Sequence, residues 1–188
     1  MYFHASPVKG IEILKPQISN HGVPLVYFST KRENVLIYLS NAVEKYCKET
    51  GFDYSGKWTK WGPYGFNKDG TQRIEEYYSG ALIDTYKGVS GYIYSVEAIT
   101  DSGISLQIPD AAASCAPTPT KSCEFIPDAY EAILEAEKKG LISILRYEDS
   151  SKEKLEWIER TIREEYENAV DKPEYRHFIE GKFPFVKR

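Results

Sequence analysis

The chain has 188 residues, 41% of them hydrophobic and 28% charged, which is the size and composition of one folded globular domain and excludes disordered, collagen-like and coiled-coil proteins. Lys and Arg total 24 against 28 Asp and Glu, a net charge of −4, which disfavours a general nucleic-acid binder because such proteins are usually basic. No apolar run approaches the ~20 residues of a membrane span, and the N-terminus lacks the pattern of a signal peptide. We therefore expect a cytoplasmic protein with no membrane partner.

Cysteine and histidine, the residues that most often hold metals, form no recognisable site in the sequence. No CxxC pair and no HExxH motif occurs. The cysteines predict reduced thiols, which fits a cytoplasmic compartment, and we expect no metal. The residues concerned are Cys47, Cys115, Cys123, His4, His21 and His177.

The first part of the chain predicts two strands and a helix. Residues 1–6 form an apolar run that ends before a proline, and residues 25–29 (Leu-Val-Tyr-Phe-Ser) are rich in strand-forming residues. Thr30 and Glu33 have the spacing of a capping box, in which each side chain bonds the other residue's backbone N–H. Apolar residues at helical spacing follow, so we expect a helix from Thr30 to about Cys47.

The rest of the chain predicts an α+β order of elements. We expect short strands and long ordered loops over 54–88 and a loop over the low-complexity segment 111–120. Regular elements are predicted as strands over 91–99, 122–126 and 141–147, as helices over 128–139 and from a capping box at 150–153 to about 171, and then as docked closing aromatic residues. We expect a single domain over 1–188, with a core over 1–126 and a helix–strand–helix extension over 127–188 packed on it.

Four polar residues on predicted strands are candidates for chemistry. His4 and Ser6 are two positions apart and so face the same side of the first strand. Tyr27 lies in the strand before the helix, and Glu124 follows a loop. Three of them also have a structural alternative: His4 as a histidine bonded to a neighbouring carbonyl, Tyr27 as a packed aromatic ring and Glu124 as a strand-end charge. Phosphate-loop, nucleophile-elbow and dinucleotide-fingerprint motifs are absent.

Two further segments carry basic side chains that are candidates for ligand contacts. Residues 57–61 (Lys-Trp-Thr-Lys-Trp) predict either a platform for a substrate or single-stranded nucleic acid, or the packing of a large loop. Lys31 and Arg32, directly after the tyrosine-bearing strand, predict either a pyrophosphate contact or a solvated first turn of the helix.

The order of these motifs resembles the ADP-ribosyltransferase superfamily. Residues 2–6 (Tyr-Phe-His-Ala-Ser) are similar to its "(F/Y)-H-(G/A)-(T/S)" opening, and residues 26–29 (Val-Tyr-Phe-Ser) are similar to its tyrosine-bearing strand before a helix. Residues 91–97 resemble the strand that follows. The resemblance covers roughly residues 1–126. Within the superfamily, these residues most resemble the small bacterial rifampin ADP-ribosyltransferase group.

The resemblance implies a split, antiparallel-rich β-sheet that clamps NAD, with flanking helices and, here, an added C-terminal helix. It implies that His4 bonds the adenosine ribose and the nicotinamide amide, that Tyr27 stacks on the nicotinamide ring, and that Ser6 and Ser29 help to seat NAD. It also implies an acid, Glu124, that stabilises the positive charge on ribose as the glycosidic bond breaks. This chemistry needs no metal.

The resemblance leaves the acid and the acceptor open. Glu124 matches the superfamily's acid at the start of a late strand, whereas in the rifampin-modifying group an aspartate after the middle strand has this role. The nearest such acids here are Asp101, our substitute for Glu124, and Asp110. The acceptor is an unknown small molecule, protein or nucleic acid. The alternatives are an RNA 2′-phosphotransferase-like enzyme and a non-catalytic module that binds a nucleotide or a protein.

Overall fold

The structure, a computed structural model, describes residues 1–18 and 22–187. His21, one of the three histidines, lies outside the described residues. The strands are β1 (Tyr2–Ser6), β2 (Ile13–Leu14), β3 (Gln17–Ile18), β4 (Pro24–Ser29), β5 (Tyr64–Phe66), β6 (Gln72–Glu75), β7 (Gly91–Val96), β8 (Ala111–Ser114), β9 (Thr118–Pro119), β10 (Ser122–Ile126) and β11 (Ser143–Leu145). The helices are α1 (Ala42–Thr50), α2 (Ala81–Tyr86), α3 (Ala129–Lys138), α4 (Lys152–Asn168) and α5 (Pro173–Lys182), and 3-10 helices span Glu33–Tyr38, Tyr147–Asp149 and Pro184–Lys187.

The main sheet has the strand order β10-β7-β1-β4, and β4 also pairs with β3 and β8. Every pairing in this sheet is antiparallel. A smaller sheet, β11-β6-β5, contains a parallel pair between β11 and β6. The predicted α+β class with antiparallel-rich sheets is therefore confirmed.

Strand register divides the side chains of the main sheet between two faces. His4 pairs with Tyr94, which pairs with Cys123, and residues paired in this way project to the same side, here called the histidine face. Their neighbours along the strands, including Glu124, project to the opposite side, here called the helix face. The 3-10 helix at Glu33–Tyr38 and helix α3 cover the helix face, while β2 and the residues before it cover the histidine face.

The helix predicted from Thr30 to Cys47 is wrong in its continuity, because these residues form a 3-10 helix, Glu33–Tyr38, and then α1 from Ala42. Thr30 does not cap a helix, since its hydroxyl donates to the carboxylate of Asp110 at 3.2 Å. The break follows Leu39, whose side chain is buried against Gly91; a Cβ at position 91 would collide with it. Tertiary packing of Leu39 thus overrides the local helical pattern.

The loop predicted over 111–120 is also wrong, because β8 pairs with β4 from Ala111 to Ser114 and β9 pairs with β2 at Thr118–Pro119. Alanine has little strand propensity, so the sequence carries no local signal for this strand. Its small side chains nevertheless fit a crowded position, because Ala113 and Ser114 are buried. The strands predicted over 91–99 and 122–126 and the helix over 128–139 are confirmed as β7, β10 and α3.

The C-terminal residues build a separate aromatic core, as their composition predicts. Phe178, Ile179 and Phe183 are fully buried and pack on Trp61 and on α1 and α4. Helix α4 is capped by Ser151, whose hydroxyl accepts a hydrogen bond from the backbone N–H of Lys154 at 3.2 Å. Among the described residues, none of the helices has the length and apolar character that crossing a membrane requires.

Candidate functional site

The main sheet splits between β1 and β4, and a histidine spans the split. These two strands share a single backbone pair, Phe3 with Ser29, after which they diverge. If residues are counted from that pair along the two antiparallel strands, Tyr27 lies one residue beyond the position opposite His4. The Nδ1 atom of His4 lies 2.9 Å from the backbone oxygen of Tyr27, so the imidazole makes a hydrogen bond that the backbone ladder would otherwise make. Two of the predicted site residues therefore meet at this split, through the imidazole of His4 and the backbone carbonyl of Tyr27.

Burial keeps His4 neutral and leaves one of its nitrogens as an acceptor. Desolvation lowers the pKa of His4, although its bond to the Tyr27 carbonyl opposes the shift. A carbonyl oxygen only accepts, so Nδ1 carries the proton and the neutral ring presents Nε2 as a hydrogen-bond acceptor. No described residue donates to Nε2, and the side chain is half-buried against the ring of Phe28, with the ring centroids 5.9 Å apart. The arrangement is suited to a ligand hydroxyl.

Tyr27 projects from β4 toward the helix face. It is two residues from Ser29, which pairs with Phe3 on that face, and its side chain is half-buried. Tyr38, at the end of the 3-10 helix, lies close enough for Tyr27 to contribute to the raised pKa of the Tyr38 hydroxyl, after burial and the neighbouring Tyr64. Tyrosine side chains thus cluster beside the split on this face.

The two predicted serines cap turns at the ends of their strands. The Ser6 hydroxyl accepts a hydrogen bond from the backbone N–H of Val8 at 3.2 Å. The Ser29 hydroxyl accepts one from the backbone N–H of Lys31 at 3.1 Å. Both serines are buried, so their hydroxyls stabilise the chain reversals that follow β1 and β4.

The structure does not bring Glu124 to His4. Glu124 pairs with Ile93, which pairs with Ala5, so its side chain projects from the helix face while His4 projects from the other. Its carboxylate accepts two hydrogen bonds from the guanidinium of Arg32, at 2.8 Å from Nε and 2.6 Å from Nη2. This bidentate pair lowers the pKa of Glu124 and raises that of Arg32.

The two aspartates named as alternatives lie beyond β4, near its partner β8. Asp101 forms an isolated backbone bridge with Ser114 and lines a groove of about 650 Å³, together with Tyr2, residues 104–109 and β8. Its carboxylate accepts a hydrogen bond from the N–H of Gly103 at 3.1 Å. Asp110 forms an ion pair with Lys31 at 2.9 Å, so Lys31 is engaged by the protein itself. The groove has the volume of a small-molecule site.

The basic aromatic segment 57–61 does not form a platform of two tryptophans, because only Trp58 is exposed. Trp61 is buried in the C-terminal aromatic core, and the indole N–H of Trp58 donates to the Ser40 carbonyl at 2.8 Å. Lys60 instead folds over the ring of Tyr64, with Nζ 4.3 Å from the ring centroid. Sequence reasoning singled out this segment but could not identify Tyr64 as the partner, because the contact depends on how the loop folds.

Within residues 1–18 and 22–187, no group of three or more His, Cys, Asp or Glu side chains is placed to hold a metal ion. Comparison with known proteins adds no relative: no family model, curated protein or solved structure matches the chain.

Proposed function

We propose that the chain is an ADP-ribosyltransferase-like enzyme that binds NAD at the split between β1 and β4. Nicotinamide would leave with the electron pair of its glycosidic bond, and a nucleophile on a small-molecule, protein or nucleic-acid acceptor would form the new bond to ribose. The observation that carries this proposal is the bond from His4 to the Tyr27 carbonyl. It holds a neutral imidazole in the split with Nε2 ready to accept a ribose hydroxyl.

The sheet supports the same proposal at the level of fold. An antiparallel sheet that opens between its histidine-bearing and tyrosine-bearing strands matches the split sheet that the sequence resemblance implies. We infer that Tyr27 stacks on the nicotinamide ring and that Ser6 and Ser29 act by shaping the turns beside the split. We also place the activity in the cytoplasm, which three unpaired thiols favour.

The carboxylate of this site is the part that the experiment must identify. Glu124 is the predicted acid, but a carboxylate paired with a guanidinium has less attraction left for a cation on ribose. Asp101 is exposed on the groove beside β8 and has no ion pair among the described residues. A carboxylate that acts on the transition state changes turnover much more than it changes the affinity for NAD.

The test is calorimetric titration with NAD together with a measurement of nicotinamide release. We expect saturable binding by the wild type, and at least a 100-fold loss of turnover with near-unchanged binding for either Glu124→Gln or Asp101→Asn. Glu156→Gln, which alters an exposed carboxylate on α4, is the control and should match the wild type. Absence of NAD binding at millimolar concentration would refute the proposal.

One observation favours a second candidate, a non-catalytic nucleotide-binding module. The guanidinium of Arg32 already neutralises Glu124, the residue predicted to act as the acid. If the wild type binds NAD but releases no nicotinamide with any acceptor tested, the module is the better description. Equal turnover in both acid variants would show that neither carboxylate takes part.

A further inference from the structure

Lys60 differs from the other cations that the described residues place over aromatic rings. Lys154 lies over Trp157 and also pairs with the carboxylate of Glu75 at 2.6 Å. Lys182 lies over Tyr46 and pairs with Asp84 at 2.6 Å. The arginines that lie over rings follow the same rule, since Arg163 pairs with Glu159 and Arg176 with Glu180. Rings hold these cations in place, and a carboxylate neutralises each one.

The Lys60 ammonium has the rings but not the carboxylate. Its Nζ lies 4.3 Å from the ring centroid of Tyr64 and 5.2 Å from that of Tyr38. Throughout residues 1–18 and 22–187, no carboxylate lies within ion-pair distance of it and no acceptor within hydrogen-bond distance. All three side chains are half-buried, so the ammonium is held in a fixed position that solvent still reaches.

A half-buried cation without a counter-charge is costly, because burial removes part of its hydration. Burial lowers the pKa of Lys60 to about 8, and the distant Glu165 opposes this only weakly. The amine therefore remains mostly protonated at neutral pH. The rings of Tyr38 and Tyr64 leave its N–H donors available on the side away from them.

We propose that Lys60 is the anion-binding residue of this protein and that its ligand is a phosphate or diphosphate group. The absent carboxylate is the observation that points to a ligand, since the equivalent lysines elsewhere in the fold are neutralised from within. Tyr38, whose ring the Lys60 ammonium contacts, lies within electrostatic range of Tyr27 at the split, so we take the NAD of the proposed function as the source of the diphosphate. The anion site stands without that function, but the identity of its ligand as NAD rests on it.

The test is calorimetry on the full chain with inorganic pyrophosphate and, separately, with NAD. Lys60→Met keeps the length of the side chain over the two rings but removes the charge. We expect it to weaken pyrophosphate binding at least tenfold, the loss typical of one charge-assisted hydrogen bond. Lys57→Met, at an exposed lysine three residues earlier in the same segment, is the matched control and should stay within about twofold of the wild type.

The outcomes separate this inference from the proposed function. NAD binding that survives unchanged in Lys60→Met would remove NAD as the ligand of Lys60 and leave the proposed function standing, whereas pyrophosphate binding that survives unchanged in this variant would overturn the role of Lys60. Pyrophosphate binding that depends on Lys60, without NAD binding, would support the anion site and remove NAD as its ligand. Failure of the wild type to bind pyrophosphate would overturn the anion site directly.

A measurement on the wild type covers the case in which Lys60→Met does not fold. Sulfate, which keeps its charge between pH 7 and 9.5, should lose at least about tenfold in affinity over that range as the Lys60 amine deprotonates near pH 8. Affinity for sulfate that is constant across this range would contradict the proposal.

Discussion

Replacing His4 by leucine tests whether the split depends on the imidazole. His4→Leu keeps an apolar side chain against Phe28 but removes the imidazole N–H that donates to the Tyr27 carbonyl. Removing one partner of a buried hydrogen bond costs about 1 to 3 kcal/mol, and since both residues are only half-buried we expect a loss of about 1 to 2 kcal/mol in the free energy of unfolding. For a chain of this length, that is a decrease of about 2 to 8 °C in melting temperature.

The same variant should also weaken NAD binding, by about tenfold, because the Nε2 acceptor is lost. Ser95→Ala is a matched control, since Ser95 is buried in the neighbouring strand β7. Its hydroxyl oxygen lies 2.6 Å from that of Ser122, and this hydrogen bond is on the side of β7 that faces β10 and not the split. We expect the control to lose similar stability, about 1 kcal/mol, and to bind NAD like the wild type.

Thermal unfolding and calorimetry on the two variants together decide the argument. An unchanged melting temperature in His4→Leu would refute the hydrogen bond across the split. A loss of stability with unchanged NAD affinity would make His4 a structural residue only, which is the alternative that its bond to a carbonyl already suggests.

Two further predictions concern stability. Burial lowers the pKa of His4 below its ordinary value of 6.5, so the unfolded chain binds the proton more tightly than the folded chain. The free energy of unfolding is therefore highest above about pH 6.5 and decreases as the pH falls toward the pKa of His4 in the folded protein. Urea unfolding at pH 7.5, 6.5 and 5.5 should show a steeper decline for the wild type than for His4→Leu, and parallel declines would contradict this. Glu75→Gln should cost about 3 kcal/mol, because the side chain of Glu75 is only 4% exposed and neutralises both Arg73 and Lys154. Urea unfolding of Glu156→Gln, with its exposed carboxylate, should differ from the wild type by less than about 0.5 kcal/mol, and equal losses in the two variants would argue against a buried ion network.

The elements that the sequence predicts well are those with local signals at both ends. Helix α3 begins after Asp128, whose carboxylate accepts hydrogen bonds from the N–H groups of Tyr130 and Glu131, and it ends before Gly140 in the left-handed conformation. Strand β10 agrees with its prediction residue for residue. Strand β8 has no such signal, because only its partner β4 makes an alanine-rich segment extended.

The site follows the same division between local and long-range information. The imidazole of His4 meets the backbone carbonyl of Tyr27 because β1 and β4 are neighbouring strands, an arrangement that the sequence resemblance implies. The contacts of Lys60 were beyond prediction, since they depend on a loop that brings it to Tyr38 on a different element. Likewise, nothing local pairs Arg32 with a carboxylate 92 positions away.

The position of Glu124 shows how much depends on register alone. The row that contains His4 continues through Tyr94 to Cys123, so the residue beside Cys123 must project to the opposite face. A shift of one residue in the pairing of β10 with β7 would place the carboxylate on the face of His4 instead. Motif order is the same for both registers, and so it cannot decide whether histidine and acid share a face. In the observed register, Glu124 forms an ion pair with Arg32. The turnover of Glu124→Gln compared with that of Asp101→Asn is therefore the decisive measurement for catalysis.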